Sequence, residues 1–99
     1  MSILPFHDRD GFIWMNGDMV PWRDAKLHVL SHGLHYASCV FEGERAYNGT
    51  IFELTQHTQR LHDSAAILDF NIPYSVAEID EASRATLAAN KLTDGYVRP

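Results

Sequence analysis

Two stretches of the chain carry the pattern of an antiparallel hairpin. Gly11 to Met15 is an apolar run that reads as a short strand. Asn16-Gly17 follows, and both residues accept the positive φ that a tight two-residue turn requires. Met19 to Trp22 is the returning strand, with Pro21 placing its end at an edge. The pattern repeats further on. Cys39 to Tyr47 is strand-like, Asn48-Gly49 is the turn, and Thr50 to Phe52 returns. The periodicity then changes. Thr55 can cap a helix reaching about Leu68, with Leu61, Ala65 and Leu68 on one face at spacings of four and three. Ser75 and Glu78 form a capping box for a second helix, which buries Ile79, Ala82 and Thr86 or Leu87 and ends at Asn90. Gly95 to Pro99 enters another strand. The expected architecture is α+β: an antiparallel sheet with two helices packed on it, one domain over residues 1–99. A strand entered at the last residues also predicts that the natural polypeptide is longer.

Composition narrows the function classes. The 99 residues are 45% hydrophobic and 21% charged, which is globular and not disordered. Net charge is −5, and no two of the 8 Lys and Arg residues are adjacent. Nucleic acid and anionic membrane surfaces, which need clustered positive charge, are excluded as partners. The single cysteine, Cys39, cannot form an internal disulfide, and a reducing compartment follows. Residues 1–10 lack the basic-then-apolar order of a secretory signal. No apolar run approaches the roughly 18 to 20 residues that span a bilayer. A cytoplasmic location is expected.

Several residues are candidates for chemistry. His28, His32 and His35 would share a helical face, as zinc ligands do. Gly33 interrupts them, however, and Asp24 and Glu42 stand at no ligand offset, so imidazoles that bond to backbone or line a polar cleft are the simpler reading. Cys39 is either a nucleophile or, in its apolar setting, a small buried hydrophobe, and the setting favours burial. In Phe41 to Tyr47, strand alternation puts Phe41, Gly43, Arg45 and Tyr47 on one face and Glu42, Glu44 and Ala46 on the other. The first face suits a pocket wall, with a sheet face covered by another element as the alternative. Arg60, inside a helix, offers a donor fork suited to phosphate, although solvated helix arginines are commoner. Tyr96 and Arg98 alternate on one strand face, where Arg98 could clamp a carboxylate or simply be an edge charge.

Taken together, these segments resemble one family. His32 to Tyr36 followed by Val40 to Tyr47 is similar to the opening signature of the class IV aminotransferases. His57 to Ala65 resembles their next marker. Tyr96-Val97-Arg98-Pro99 resembles the element of the branched-chain subgroup. The likeness runs from about Gly11 to Pro99 and implies the small amino-terminal domain of that fold.

The resemblance implies pyridoxal 5'-phosphate as cofactor, with Arg60 gripping its phosphate. It implies Tyr96 and Arg98 as the carboxylate-recognising pair. Phe41 and Tyr36 are implied as apolar pocket walls, Tyr36 serving a neighbouring subunit of a dimer, and Gly43 as the residue that keeps the wall thin. The implied reaction moves the amino group of leucine, isoleucine or valine to 2-oxoglutarate. Amino acids and 2-oxo acids are the implied small-molecule partners, with no metal, and the enzyme is at least a homodimer. The Schiff-base lysine lies further along in the family. Lys26 and Lys91 do not match it, so no catalytic residue is assigned and these residues alone are expected to be inactive. Two other readings stand beside this one. A D-amino-acid aminotransferase or an aminodeoxychorismate lyase generally lacks the Tyr96 to Pro99 element. A binding or dimerisation module would use Trp14, Trp22, Phe41 and Tyr47 as its interface.

Overall fold

The structure, a computed structural model, describes residues 3–99. Strand β1 (Phe12–Met15) pairs antiparallel with β2 (Asp18–Pro21), in a register that sets Ile13 opposite Val20 and Trp14 opposite Met19. Between them Asn16 (φ 53°) and Gly17 (φ 95°) take the two positive-φ positions expected of them. Trp22 leaves the strand for a 3-10 turn ending at Asp24. A single helical turn, α1 (His32–His35), follows. The second hairpin joins β3 (Glu44–Tyr47) to β4 (Thr50–Ile51), and its turn repeats the geometry at Asn48 (φ 51°) and Gly49 (φ 79°). Helices α2 (Leu54–Ile67) and α3 (Val76–Ala89) pack on each other, and β5 (Gly95–Val97) returns beside β3.

The α+β class agrees with the expectation, but the strands form two sheets instead of one. β1 and β2 stand alone, while β4-β3-β5 is a separate antiparallel sheet. A lone hairpin is marginal in water. Here the Asn90 side chain takes the place of a third strand. Its Oδ1 accepts from the Phe12 N–H at 2.9 Å, and its Nδ2 donates to the Phe12 carbonyl at 3.0 Å. Trp14 meets Tyr74 edge-on, and Trp22 donates its indole N–H to the Phe6 carbonyl. These two aromatics, candidates for an interface, are engaged within the chain.

Helix α2 begins two residues earlier than expected and without a side-chain cap. Glu53 (φ 55°) occupies the cap position, and Thr55 instead donates to Asp80 of α3 at 2.7 Å. Leu61 and Ala65 are buried as the spacing predicts, whereas Leu68 lies past the helix end and is exposed. The capping box of α3 is present in both directions, Glu78 N–H to Ser75 Oγ at 3.1 Å and Ser75 N–H to Glu78 Oε1 at 3.0 Å. Ile79, Ala82 and Leu87 are buried and Thr86 is half-buried. One core cluster joins Ala46, Ile51, Leu54 and Leu87, with Val97 against them, and Leu61, Ala65, Ile79 and Ala82 are buried as well. Asp80 crosses the helix pair as a polar seam, accepting from Thr55 and from fully buried Thr58. Among the described residues no helix is long and apolar enough to cross a membrane.

Candidate functional site

Regular strand begins at Glu44 and not at Cys39, because residues 39–43 lack a ladder partner until Glu42 donates its N–H to the Pro99 carbonyl at 3.0 Å. That bond carries the pairing of β3 with β5 past both strand ends. The alternation expected across Phe41 to Tyr47 is present. Glu42, Glu44 and Ala46 are buried, and Phe41, Arg45 and Tyr47 are exposed. Two groups of side chains therefore form on the two sides of one extended segment.

On the outer side Arg98 donates through Nε and Nη2 to the Tyr96 hydroxyl oxygen, at 3.0 and 2.8 Å. Its guanidinium carbon stands 4.4 Å from the centre of the Phe41 ring. Tyr96 lies across Gly43, where a Cβ would collide with the hydroxyl and come within 3.1 Å of the ring. Only glycine permits that approach. Phe41, Gly43, Tyr96 and Arg98 are thus brought together as expected. With both lone pairs of the hydroxyl occupied, its hydrogen is free to donate, and three guanidinium N–H groups remain for an incoming acceptor. Arg45 makes no ion pair among the described residues and lies 6.0 Å from the Tyr47 ring.

On the inner side the Glu42 carboxylate is buried and accepts three hydrogen bonds. Arg60 gives two, Nε to Oε2 at 2.8 Å and Nη2 to Oε1 at 2.7 Å. His57 gives the third, Nδ1 to Oε1 at 2.6 Å. The Arg60 bonds hold Glu42 down to about 2 against the opposing effect of burial, and His57 adds to them. An ionised carboxylate only accepts, so the His57 proton is on Nδ1. Arg60 keeps 66% of its side chain exposed and borders a shallow cleft with Glu53, Gln56 and His57. It is a braced cation and not a freely solvated one. Glu42 and His57 had no role assigned from sequence. An acid in an alternating segment, with His57 and Arg60 three residues apart on one helix, was the available signal.

Tyr36 is not part of either group. It is exposed, edge-on to His32 and His35, with ring centres 5.2 and 4.6 Å away. The three histidines do not share a helix face, because His28 precedes α1 and its Nδ1 accepts from the Leu30 N–H. No three His, Cys, Asp or Glu side chains converge among the described residues. Cys39 is exposed, against the expectation of burial, because the segment around it has no covering element.

A family model of the class IV aminotransferases matches residues 39–99. The chain belongs to this family. Within the class IV aminotransferases it is 56% identical over 96 residues to the branched-chain-amino-acid aminotransferase of Pseudomonas aeruginosa, covering 93% of this chain and 31% of that one. The solved branched-chain amino acid aminotransferase of Escherichia coli superposes with a TM-score of 0.86 at 47% identity, over 91% of this chain and 32% of that one. The branched-chain amino acid aminotransferase of Thermoproteus uzoniensis, solved with norvaline, gives 0.84 at 37% identity over 91% and 32%. A further solved branched-chain amino acid aminotransferase, complexed with N-(5'-phosphopyridoxyl)-L-glutamate, gives 0.85 at 42% identity over the same shares. The chain spans about a third of the length of the relatives it matches.

Proposed function

We propose that residues 1–99 are the amino-terminal small domain of an aminotransferase that passes the amino group of leucine, isoleucine or valine to 2-oxoglutarate. The observation that carries this reading is the Phe41–Gly43–Tyr96–Arg98 cluster. Such an enzyme must admit an aliphatic and an acidic side chain in turn. Phe41 offers the first an apolar surface. Arg98 and the Tyr96 hydroxyl hydrogen offer the second a set of donors. When the aliphatic partner is bound, Arg98 is not stranded, because the tyrosine oxygen and the Phe41 face still satisfy it.

Pyridoxal phosphate, when bound, supplies the electron sink. Arg60 fits its phosphate: the guanidinium is fixed, always charged, and keeps three N–H groups free beside the cleft. The relative solved in complex with a phosphopyridoxyl-glutamate supports both the cofactor and the acidic partner. Tyr36, exposed and away from the cluster, suits a wall of a neighbouring subunit's pocket in a homodimer or higher assembly. A cytoplasmic setting fits the exposed cysteine. Lys26 borders a cleft with Phe6, Asp8 and Trp22, and Lys91 is exposed just past α3. Among the described residues no hydrogen bond ties either lysine to the two groups, and the 99 residues alone are expected to be inactive because neither lysine matches the Schiff-base position that the family resemblance implies. In the natural full-length protein, leucine with 2-oxoglutarate is expected to give glutamate, and D-alanine is not. A preference for D-alanine would move the protein to another branch of the family. Turnover of leucine by residues 1–99 with added pyridoxal phosphate would refute their inactivity.

A further inference from the structure

We infer that Glu42, anchored by His57, is a positioning residue that presets the Arg60 guanidinium for the cofactor phosphate. This rests on the reading of Arg60 given above. A free arginine side chain has many rotamers and must lose that freedom when a ligand binds. Here the loss is taken within the fold. Glu42 sits on a segment whose own N–H is tied to Pro99, and its carboxylate is only 5% exposed. It takes the Nε and one Nη2 hydrogen of Arg60 in a fork-to-fork pair. That pair fixes the guanidinium plane and turns its other edge, both Nη1 hydrogens and one on Nη2, away from the carboxylate. The exposed edge has the spacing that matches two oxygens of a phosphate. His57 Nδ1 at 2.6 Å closes the remaining direction on Oε1, so the carboxylate cannot swing to follow Arg60. A purely structural ion pair would tie α2 to the segment before β3 equally well, and a competing one would hold Arg60 back from the anion. The three roles predict different results.

The test compares equilibrium affinity for pyridoxal phosphate with that for pyridoxal, which lacks the phosphate, in the natural full-length protein. Arg60→Met is expected to lower the ratio of the two affinities. Should it not, Arg60 does not hold the phosphate, and the inference falls with that reading. If Arg60→Met lowers the ratio, Glu42→Gln is expected to lower it roughly five- to tenfold, as immobilising one long side chain implies. Adding Glu42→Gln to Arg60→Met should then change nothing further. A Glu42→Gln protein with an unchanged ratio makes the pair structural, and one with a raised ratio makes Glu42 a competitor. Either overturns the inference while leaving Arg60 in place. Glu42→Asp, which keeps the buried charge but withdraws it by one methylene, should give a smaller loss in the same direction. Independently of folding in any variant, the Arg60 Nε–H of the unliganded wild type should appear as an exchange-protected resonance that persists when pyridoxal phosphate is added. An Arg60 Nε–H in fast exchange before ligand is added would sink the inference.

Discussion

Burial leaves Glu44 fully enclosed, and among the described residues neither carboxyl oxygen finds a hydrogen-bond partner. Burial pushes it up to about 7, opposed by nearby His57 and assisted by Glu42 and Asp80. The folded protein therefore holds this proton more tightly than the unfolded chain does. Its contribution is fully present below the ordinary value near 4.5 and is lost as pH rises to about 7. Glu44→Gln should flatten that loss. Thermal melts at pH 5 and pH 8 should show the variant gaining on the wild type at the higher pH, by at most about 3 kcal/mol. Equal pH slopes would show that Glu44 is ionised or solvated in the native state. Glu42 runs the other way: its contribution is present above about 4.5 and is lost as acid approaches about 2. That both glutamates share one face was legible in the alternation of residues 41–47, but that this face is the buried one was not. Nor were their opposite fates, because they depend on which α2 side chains face each one. At Arg98 the geometry predicts a split in specificity. Arg98→Met in the full-length protein should reduce kcat/KM for 2-oxoglutarate roughly tenfold to a hundredfold, the range for losing a charged hydrogen-bond partner. Leucine should fall by much less. Equal losses for both would remove the dual-pocket argument.

At the level of elements, local chemistry was readable and partner-dependent structure was not. Asn16-Gly17, Asn48-Gly49 and the Ser75–Glu78 box each encode their geometry within four residues, and all three formed. The strand expected from Cys39 began only at Glu44, since a strand exists where another backbone meets it. The start of α2 was misplaced for a related reason. Thr55 had two possible uses, as a cap or as a donor to a distant acid, and Asp80 of α3 decided between them. The capping box provides an element-scale prediction. Ser75→Ala removes the acceptor for the Glu78 N–H and should destabilise the protein by about 1 kcal/mol. Early amide exchange in the first turn of α3 should accompany a small drop in Tm. Unchanged exchange at Glu78 would mean that the cap is idle in solution.

The two sheets are held in one molecule by few ties, and Asn90 is the most economical of them. Its amide pairs with both backbone groups of Phe12 and donates a further bond to Thr86, so the end of α3 latches the first hairpin. Beyond the hairpin, residues 27–41 contain only the single turn of α1, yet Leu27, Val29, Leu30, Leu34, Tyr36 and Phe41 are all at least 60% exposed. Apolar side chains this dense on a segment with so little structure of its own are a surface awaiting cover. The core of Ala46, Ile51, Leu54 and Leu87 lies elsewhere and cannot absorb them. Residues 1–99 expressed alone should therefore bind a hydrophobic dye such as ANS and elute above 11.2 kDa by size-exclusion chromatography. The full-length protein at the same concentration should bind little dye. A dye-silent monomer of 11.2 kDa would show that the 99 residues satisfy their own surface. In that case the segment from Leu27 to Phe41 would have to fold back on the hairpin, and Tyr36 could not serve a neighbouring subunit.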